Sequence, residues 1–215
     1  MSLSRSEQFV SVEDYLEGEK DSPIRHEYVD GYIYAMAGAS DRHNRIAINV
    51  TSRLNDRLIE GPCEVFMSDT KLKVTPTTYY YPDVIVCCDS PAPDAYFRAQ
   101  PVIIIEIISP TTQRIDHHEK LIAYKRMPTV REYVVMYQDQ ILIQVHRRVG
   151  DEWQQRRLSN PTDSLMLESV GLSIALADIY RGVRFPGVTS NQPAGDYYPG
   201  SEMKREPRRS RILSR

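Results

Sequence analysis

Pro101-Val102-Ile103-Ile104-Ile105-Glu106-Ile107-Ile108-Ser109-Pro110 is the stretch whose reading decides the fold. An almost uninterrupted apolar run of valine and isoleucine predicts a central strand buried on both faces of a sheet. It is far short of a membrane span, and it holds a glutamate. Ser109 suits an N-cap and Pro110 a first helical position, opening a helix over TTQRIDHHEKLIAYKRM that Pro128 terminates. A buried strand feeding directly into a helix predicts an α/β sandwich, a mixed β-sheet flanked by a few helices.

The surrounding chain fits that architecture. SVEDYLE (11–17) predicts a short helix, and EYVDGYIYAMAG from Glu27 predicts a hairpin about Asp30-Gly31. In DRHNRIAINVTSRLNDRL, Ile46, Val50, Leu54 and Leu58 recur every four residues, so a long helix starts at a Ser40 or Asp41 cap and ends by Gly61-Pro62. CEVFMS, TKLKV and YYYPDVIVCC are strand candidates. REYVVMY and QILIQVHRR predict a strand pair about Gln138-Asp139-Gln140. A shorter strand follows near Glu152–Leu158, and LSIALADIY closes the domain as a strand or helical turn. Residues 1–188 read as one domain. The remainder, TSNQPAGDYYPGSEMKREPRRSRILSR, reads as a disordered basic tail.

Composition bounds the function. The 215 residues carry 27 Lys+Arg and 29 Asp+Glu, a net charge of -2, which removes any argument from a globally basic surface. That average hides an asymmetry: residues 189–215 hold six basic and three acidic residues, leaving 21 basic and 26 acidic in the body. None of the ten glycines forms GxGxxG or a phosphate-binding loop, and GxSxG and HExxH are absent. Cys63, Cys87 and Cys88 form an odd set without metal-ligand spacing, which favours a reducing, cytoplasmic setting. No signal core or membrane segment is expected.

Glu106 carries most of the chemical information. A carboxylate inside that apolar strand must leave water, at a cost of several kcal/mol unless a cation or hydrogen-bond donors meet it. The partner is either an Arg or Lys in a buried salt bridge, or a metal ion. Asp83 opens the preceding core strand in Pro82-Asp83-Val84-Ile85-Val86. If the two strands pair antiparallel, both carboxylates meet at one edge, and a shared divalent cation relieves their repulsion. Oxygen ligands of this kind suit Mg²⁺ or Mn²⁺ rather than Zn²⁺.

Asp116, Lys120 and Tyr124 lie four apart on one face of the following helix, so Lys120 can bring positive charge to the pair; a solvated Asp116–Lys120 pair is the plainer reading. His43 falls on the apolar stripe of its helix and points inward, as a satisfied core histidine or a site-lining group. Glu27, which opens the first strand, is the remaining candidate, its plainer reading a surface residue before the hairpin. His26, His117, His118 and His146 are expected to be exposed. Tyr79, Tyr80 and Tyr81 are expected to pack on both faces of a sheet rather than stack bases.

The order of these features resembles the Uma family of predicted endonucleases, within the restriction-endonuclease-like PD-(D/E)XK superfamily. The resemblance rests on RHEYVDGYIYAMAGAS with Glu27, His43 at the opening of a long helix, YYPDVIV with Asp83, VIIIEIISPTT with Glu106, and the helix DHHEKLIAYKRM. It extends from about residue 11 into the 170s. It implies that Asp83 and Glu106 are the two acids of the motif and metal ligands, and that Glu27 is an additional N-terminal carboxylate. Ile108 occupies the position where the superfamily usually places its lysine, so Lys120 becomes the substitute. The strand Glu132-Tyr133-Val134-Val135-Met136-Tyr137 departs from the family's tryptophan and aspartate, without deleting a ligand.

The expected activity is Mg²⁺- or Mn²⁺-dependent hydrolysis of DNA phosphodiester bonds, with Asp83, Glu106, Lys120 and Glu27 as catalytic residues and His43, Asp116 and Tyr124 supporting them. A catalytically inactive nucleic-acid-binding or interaction module on the same fold is the alternative. A two-carboxylate glycosidase is a weaker one. DNA is the expected partner: Arg42, Arg45, Arg53 and Arg57 lie on the first long helix, where Arg53 and Arg57, four apart, either follow a phosphate backbone or simply solvate the outer face. A homodimer would suit cutting of both strands.

Overall fold

The structure, a computed structural model, describes residues 8–88, 94–109 and 116–185. The basic tail and the first turn proposed for the helix after Ser109 lie outside the described residues. In chain order the elements are α1 (Val12–Gly18), β1 (His26–Val29), β2 (Tyr32–Ala35), α2 (Asp41–Leu58), β3 (Glu64–Met67), β4 (Lys71–Thr75), β5 (Thr78–Tyr80), β6 (Val84–Cys87), β7 (Phe97–Arg98), β8 (Pro101–Ile108), α3 (Asp116–Arg126), β9 (Glu132–Tyr137), β10 (Ile143–Val149), β11 (Glu152–Leu158), β12 (Ser164–Leu167), β13 (Leu172–Ala175) and α4 (Leu176–Ile179).

The central sheet has the order β11-β10-β9-β8-β6-β3. It is mixed: β8 runs parallel to β9 and antiparallel to β6. Ile103, Ile104 and Ile105 are fully buried, as a strand covered on both faces requires. Odd-numbered β8 residues pack with Ile46, Val50 and Leu54 of α2, while Ile104 and Ile108 pack with Tyr124, Met127 and Tyr80 on the opposite face. A second sheet, β2-β1-β5-β4-β7, carries the hairpin. Its outer face holds Tyr28 and Tyr79 beneath Tyr15 of α1. β12 and β13 form a separate pair whose Leu165, Leu167 and Ile174 join the α2 side of the core.

Local chemistry explains the junctions. Asp30 and Gly31 both have positive φ, 47° and 92°, the backbone of a two-residue hairpin turn, and the Phe9 ring lies where a Cβ on Gly31 would stand. Ser40 caps α2 by accepting from the His43 backbone N–H at 3.2 Å. Tyr79 and Tyr80 take opposite faces of β5, and Tyr81 beyond it is also buried, so all three are packing residues.

Several expectations are corrected. YYYPDVIVCC is not one strand: β5 ends at Tyr80, β6 begins at Val84, and the two belong to different sheets. Pro82 has no N–H for a ladder, so the chain changes sheets there. The segment near Glu152–Leu158 is as long as β10 and pairs with it along its whole length. LSIALADIY forms both a strand, β13, and a helical turn, α4.

The cysteines are not all thiols. Glu64 pairs with Cys87 in the β3–β6 ladder, which brings the flanking Cys63 and Cys88 together as a disulfide. The odd count therefore gives no support to a reducing compartment. His146 is buried and stacks on Tyr133, and His26 is partly buried against Glu19, so neither is the exposed histidine that its sequence context suggests. His118 is exposed as expected, and the His117 side chain lies outside the described residues. Among the described residues no helix is long and apolar enough to cross a membrane.

Candidate active site

The β6–β8 register places Val84 opposite Ile105, so one step further Asp83 stands across from Glu106. The antiparallel condition on which their meeting depended is thereby satisfied. The Glu106 side chain points to the α3 face, in phase with Ile104, whereas Asp83, just before β6, is met by His43 of α2. The Asp83 carboxylate accepts from the Ile107 backbone N–H through Oδ2 at 2.6 Å, and His43 Nε2 lies 2.9 Å from Oδ1.

α3 supplies the cation and a hydroxyl. Lys120 Nζ lies 2.7 Å from Glu27 Oε1 and 3.8 Å from Glu106 Oε1, bridging the two sheets. One turn on, the Tyr124 hydroxyl donates to Glu106 Oε1 at 2.9 Å. Glu27 is buried, with Oε1 also accepting from the Tyr81 backbone N–H at 3.3 Å, so the surface reading of Glu27 is wrong. Its inward direction follows from β1 pairing with β5, which turns this side chain toward the gap between the sheets.

Electrostatics set this cluster apart. Glu106 is pushed up to about 8, chiefly by burial. Lys120 opposes that shift; the Asp83 and Glu27 carboxylates add to it, and the Tyr124 hydrogen bond counteracts it. Burial likewise raises the Tyr124 hydroxyl well above its ordinary value, so it remains a donor. Glu27 and Glu106 thus share the Lys120 ammonium while Asp83 adds a further negative charge, and the mutual repulsion of the three is the kind a divalent cation relieves.

The donor set fits a hard cation. Among the described residues no group of three or more His, Cys, Asp or Glu side chains is poised as a metal cage. Mg²⁺ is commonly held by one or two carboxylates, with water and substrate phosphate oxygens completing its shell, and Asp83 with Glu106 matches that pattern. Among the described residues thiolate or multi-histidine ligand sets have no counterpart.

The structure therefore brings together Glu27, Asp83, Glu106, Lys120, Tyr124 and His43. The Asp116 side chain lies outside the described residues. His43 is not a satisfied core histidine: its Nδ1 is buried with no hydrogen-bond partner among the described residues, a situation that costs about 1–3 kcal/mol. Arg53 and Arg57 are remote from this cluster. Arg53 lies about 15 Å along α2 from His43 at 1.5 Å per residue and pairs with Asp178 at 3.3 Å.

Sequence reasoning missed the supports behind Glu27. The buried Glu19 carboxylate accepts from the His26 backbone N–H at 2.8 Å and the Tyr81 hydroxyl at 3.0 Å. It also missed Gln138, which accepts a hydrogen bond from Ser40. Ser40 was legible as a cap, but nothing local signals a partner 98 residues away.

Comparison with known proteins identifies the family and the fold. Residues 12–177 match the model of the Uma2 family, described as "Putative restriction endonuclease". Two uncharacterized proteins of Synechocystis sp. are similar. One, slr1290, is 34% identical over 179 residues, covering 82% of this chain and 94% of that protein. The other, sll1609, is 27% identical over 158 residues, covering 71% and 89%. The crystal structure of a "putative nuclease belonging to DUF820" from Anabaena variabilis superposes with a TM-score of 0.67 at 17% identity, over 80% of this chain and 97% of that one. At that identity the likeness establishes the fold, a restriction-endonuclease-like mixed sheet flanked by helices.

Proposed function

The chain belongs to the Uma2 family of putative restriction endonucleases, and from that premise we propose that it is a metal-dependent endonuclease hydrolysing DNA phosphodiester bonds. The observation that carries this reading is the Asp83–Glu106 pair at one sheet edge, with Lys120 Nζ 3.8 Å from Glu106. Asp83 and Glu106 would hold Mg²⁺ or Mn²⁺, with Glu27 reaching it through water. Such an ion, when bound, lowers the pKa of a coordinated water and neutralises charge on the phosphoryl group.

The chain's own groups do the remaining work. Lys120 presents a compact positive charge to the scissile phosphate or the attacking water, and its link to Glu27 keeps the ammonium between the two sheets. Tyr124 holds Oε1 of Glu106. The Ile107 N–H and His43 hold Asp83. DNA as substrate and the divalent cation belong to this proposal.

The test is cleavage of plasmid and oligonucleotide DNA with Mg²⁺ or Mn²⁺ by wild type, Asp83→Ala and Lys120→Ala. Cleavage by wild type alone, abolished by chelator, is the expected result. Equal activity in all three would defeat the site. Absence of cleavage with DNA binding intact would favour the inactive binding module.

A further inference from the structure

We propose that His43 is a positioning residue for Asp83, its Nε2–H fixing the carboxylate that the metal ion requires; the inference rests on the function proposed above. Asp83 lies just outside β6, at the point where the chain passes between sheets; its carbonyl accepts from the Ser68 N–H at 3.0 Å, which fixes the backbone but not the carboxylate. Each of its carboxylate oxygens instead meets a partner from a different layer. The Ile107 N–H of the central sheet donates to Oδ2 at 2.6 Å, and His43 of α2 reaches Oδ1 at 2.9 Å. One lone pair on each oxygen then remains for a cation, and rotation of the carboxylate is restrained.

The histidine is itself held in register with Glu106. Ser40 accepts from the His43 backbone N–H at 3.2 Å and donates to Gln138, whose own N–H donates to Ile108 O at 3.1 Å, two residues beyond Glu106. One turn after His43, Ile46 and Ala47 are buried in the core and stop the helix from sliding. The α2 N-terminus is thus latched to the strand ends that carry the site. The hydrogen bond of this ring runs to Asp83, a proposed metal ligand.

Partners of ligating carboxylates typically contribute about 10–100-fold to metal affinity. Calorimetric titration of the full chain with Mn²⁺ at one pH, alongside thermal unfolding without metal, separates positioning from packing. His43→Ala and His43→Phe should bind Mn²⁺ about 10–100-fold more weakly than wild type, and His43→Gln, which keeps an N–H donor, should regain part of the loss. His43→Phe retains the ring volume, so the comparison survives if His43→Ala does not fold. Wild-type affinity in His43→Phe, or no difference between His43→Gln and His43→Phe, would overturn the proposal. Asp83→Asn distinguishes the two levels of failure. If it weakens Mn²⁺ binding while His43→Phe does not, only the role of His43 falls; if Asp83→Asn also binds like wild type, the metal reading falls and the role of His43 with it.

Discussion

Glu132, at the start of β9, is fully buried and accepts from Arg147 Nε at 3.1 Å and from the backbone N–H groups of Glu168 and Ser169 at 3.0 and 3.1 Å. Glu106, near the end of the adjacent parallel strand β8, is also buried, yet it meets a tyrosine hydroxyl, a lysine 3.8 Å away and the charge of two further carboxylates. The first is a structural anion whose oxygens are matched by donors. The second is short of positive charge at the one edge where strand ends, α3 and the second sheet converge. Burial of an acid therefore does not mark a site; burial with an excess of like charge does.

Activity should separate the two carboxylates most strongly. Glu106→Gln should slow metal-dependent DNA cleavage by at least about 10²-fold, the scale of losing one preorganised charge-stabilising group. Glu132→Gln should leave the rate per folded molecule unchanged, as steady-state assays normalised by the folded fraction would report.

Stability should reverse that order. Glu132→Ala removes the acceptor of the Glu168 and Ser169 backbone N–H groups, while Arg147 keeps Glu168 and Met166 as partners, and should cost about 1–3 kcal/mol in urea unfolding. Above about pH 8, where Glu106 is ionised, Glu106→Gln should be neutral or stabilising without metal, because Lys120 keeps Glu27 as its partner and one repelling charge disappears. A large loss in Glu106→Gln would make Glu106 a structural anion like Glu132.

A smaller effect lies in the pH dependence. Folded Glu106 binds its proton up to about 8, against an ordinary value of 4.5, so the native state holds more protons than the unfolded state between those limits. Its contribution to stability is complete below the lower value and is lost as pH rises through the upper one. Metal-free stability should therefore fall with pH across that window, by at most about 1.4 kcal/mol per unit from this group, and the slope should be absent in Glu106→Gln. Mn²⁺ affinity should rise over the same window, since the ion displaces that proton. Tyr124→Phe should move the midpoint of that rise upward by about half a unit to one unit, because the hydroxyl favours the ionised carboxylate.

Much of this was legible in the sequence. The run Pro101–Ile108 identified the central strand, the positions of Asp83 and Glu106 at opposite ends of successive strands placed both acids at one edge, and four-residue spacing put Lys120 and Tyr124 on one face of α3. What escaped depends on long-range pairing. The inward turn of Glu27 requires β1 beside β5, and the Cys63–Cys88 bond requires the β3–β6 register. The burial of His146 requires β10 to lie beside β9, where its ring stacks on Tyr133. None of these is encoded in the neighbours of the residue concerned.

The most direct measurement is the anomalous scattering of a crystal soaked in Mn²⁺. The account predicts a peak contacting carboxylate oxygens of both Asp83 and Glu106, with Lys120 Nζ still beside Glu27. A peak elsewhere, or none at this edge in millimolar Mn²⁺ at a pH above that at which Glu106 ionises, would contradict it.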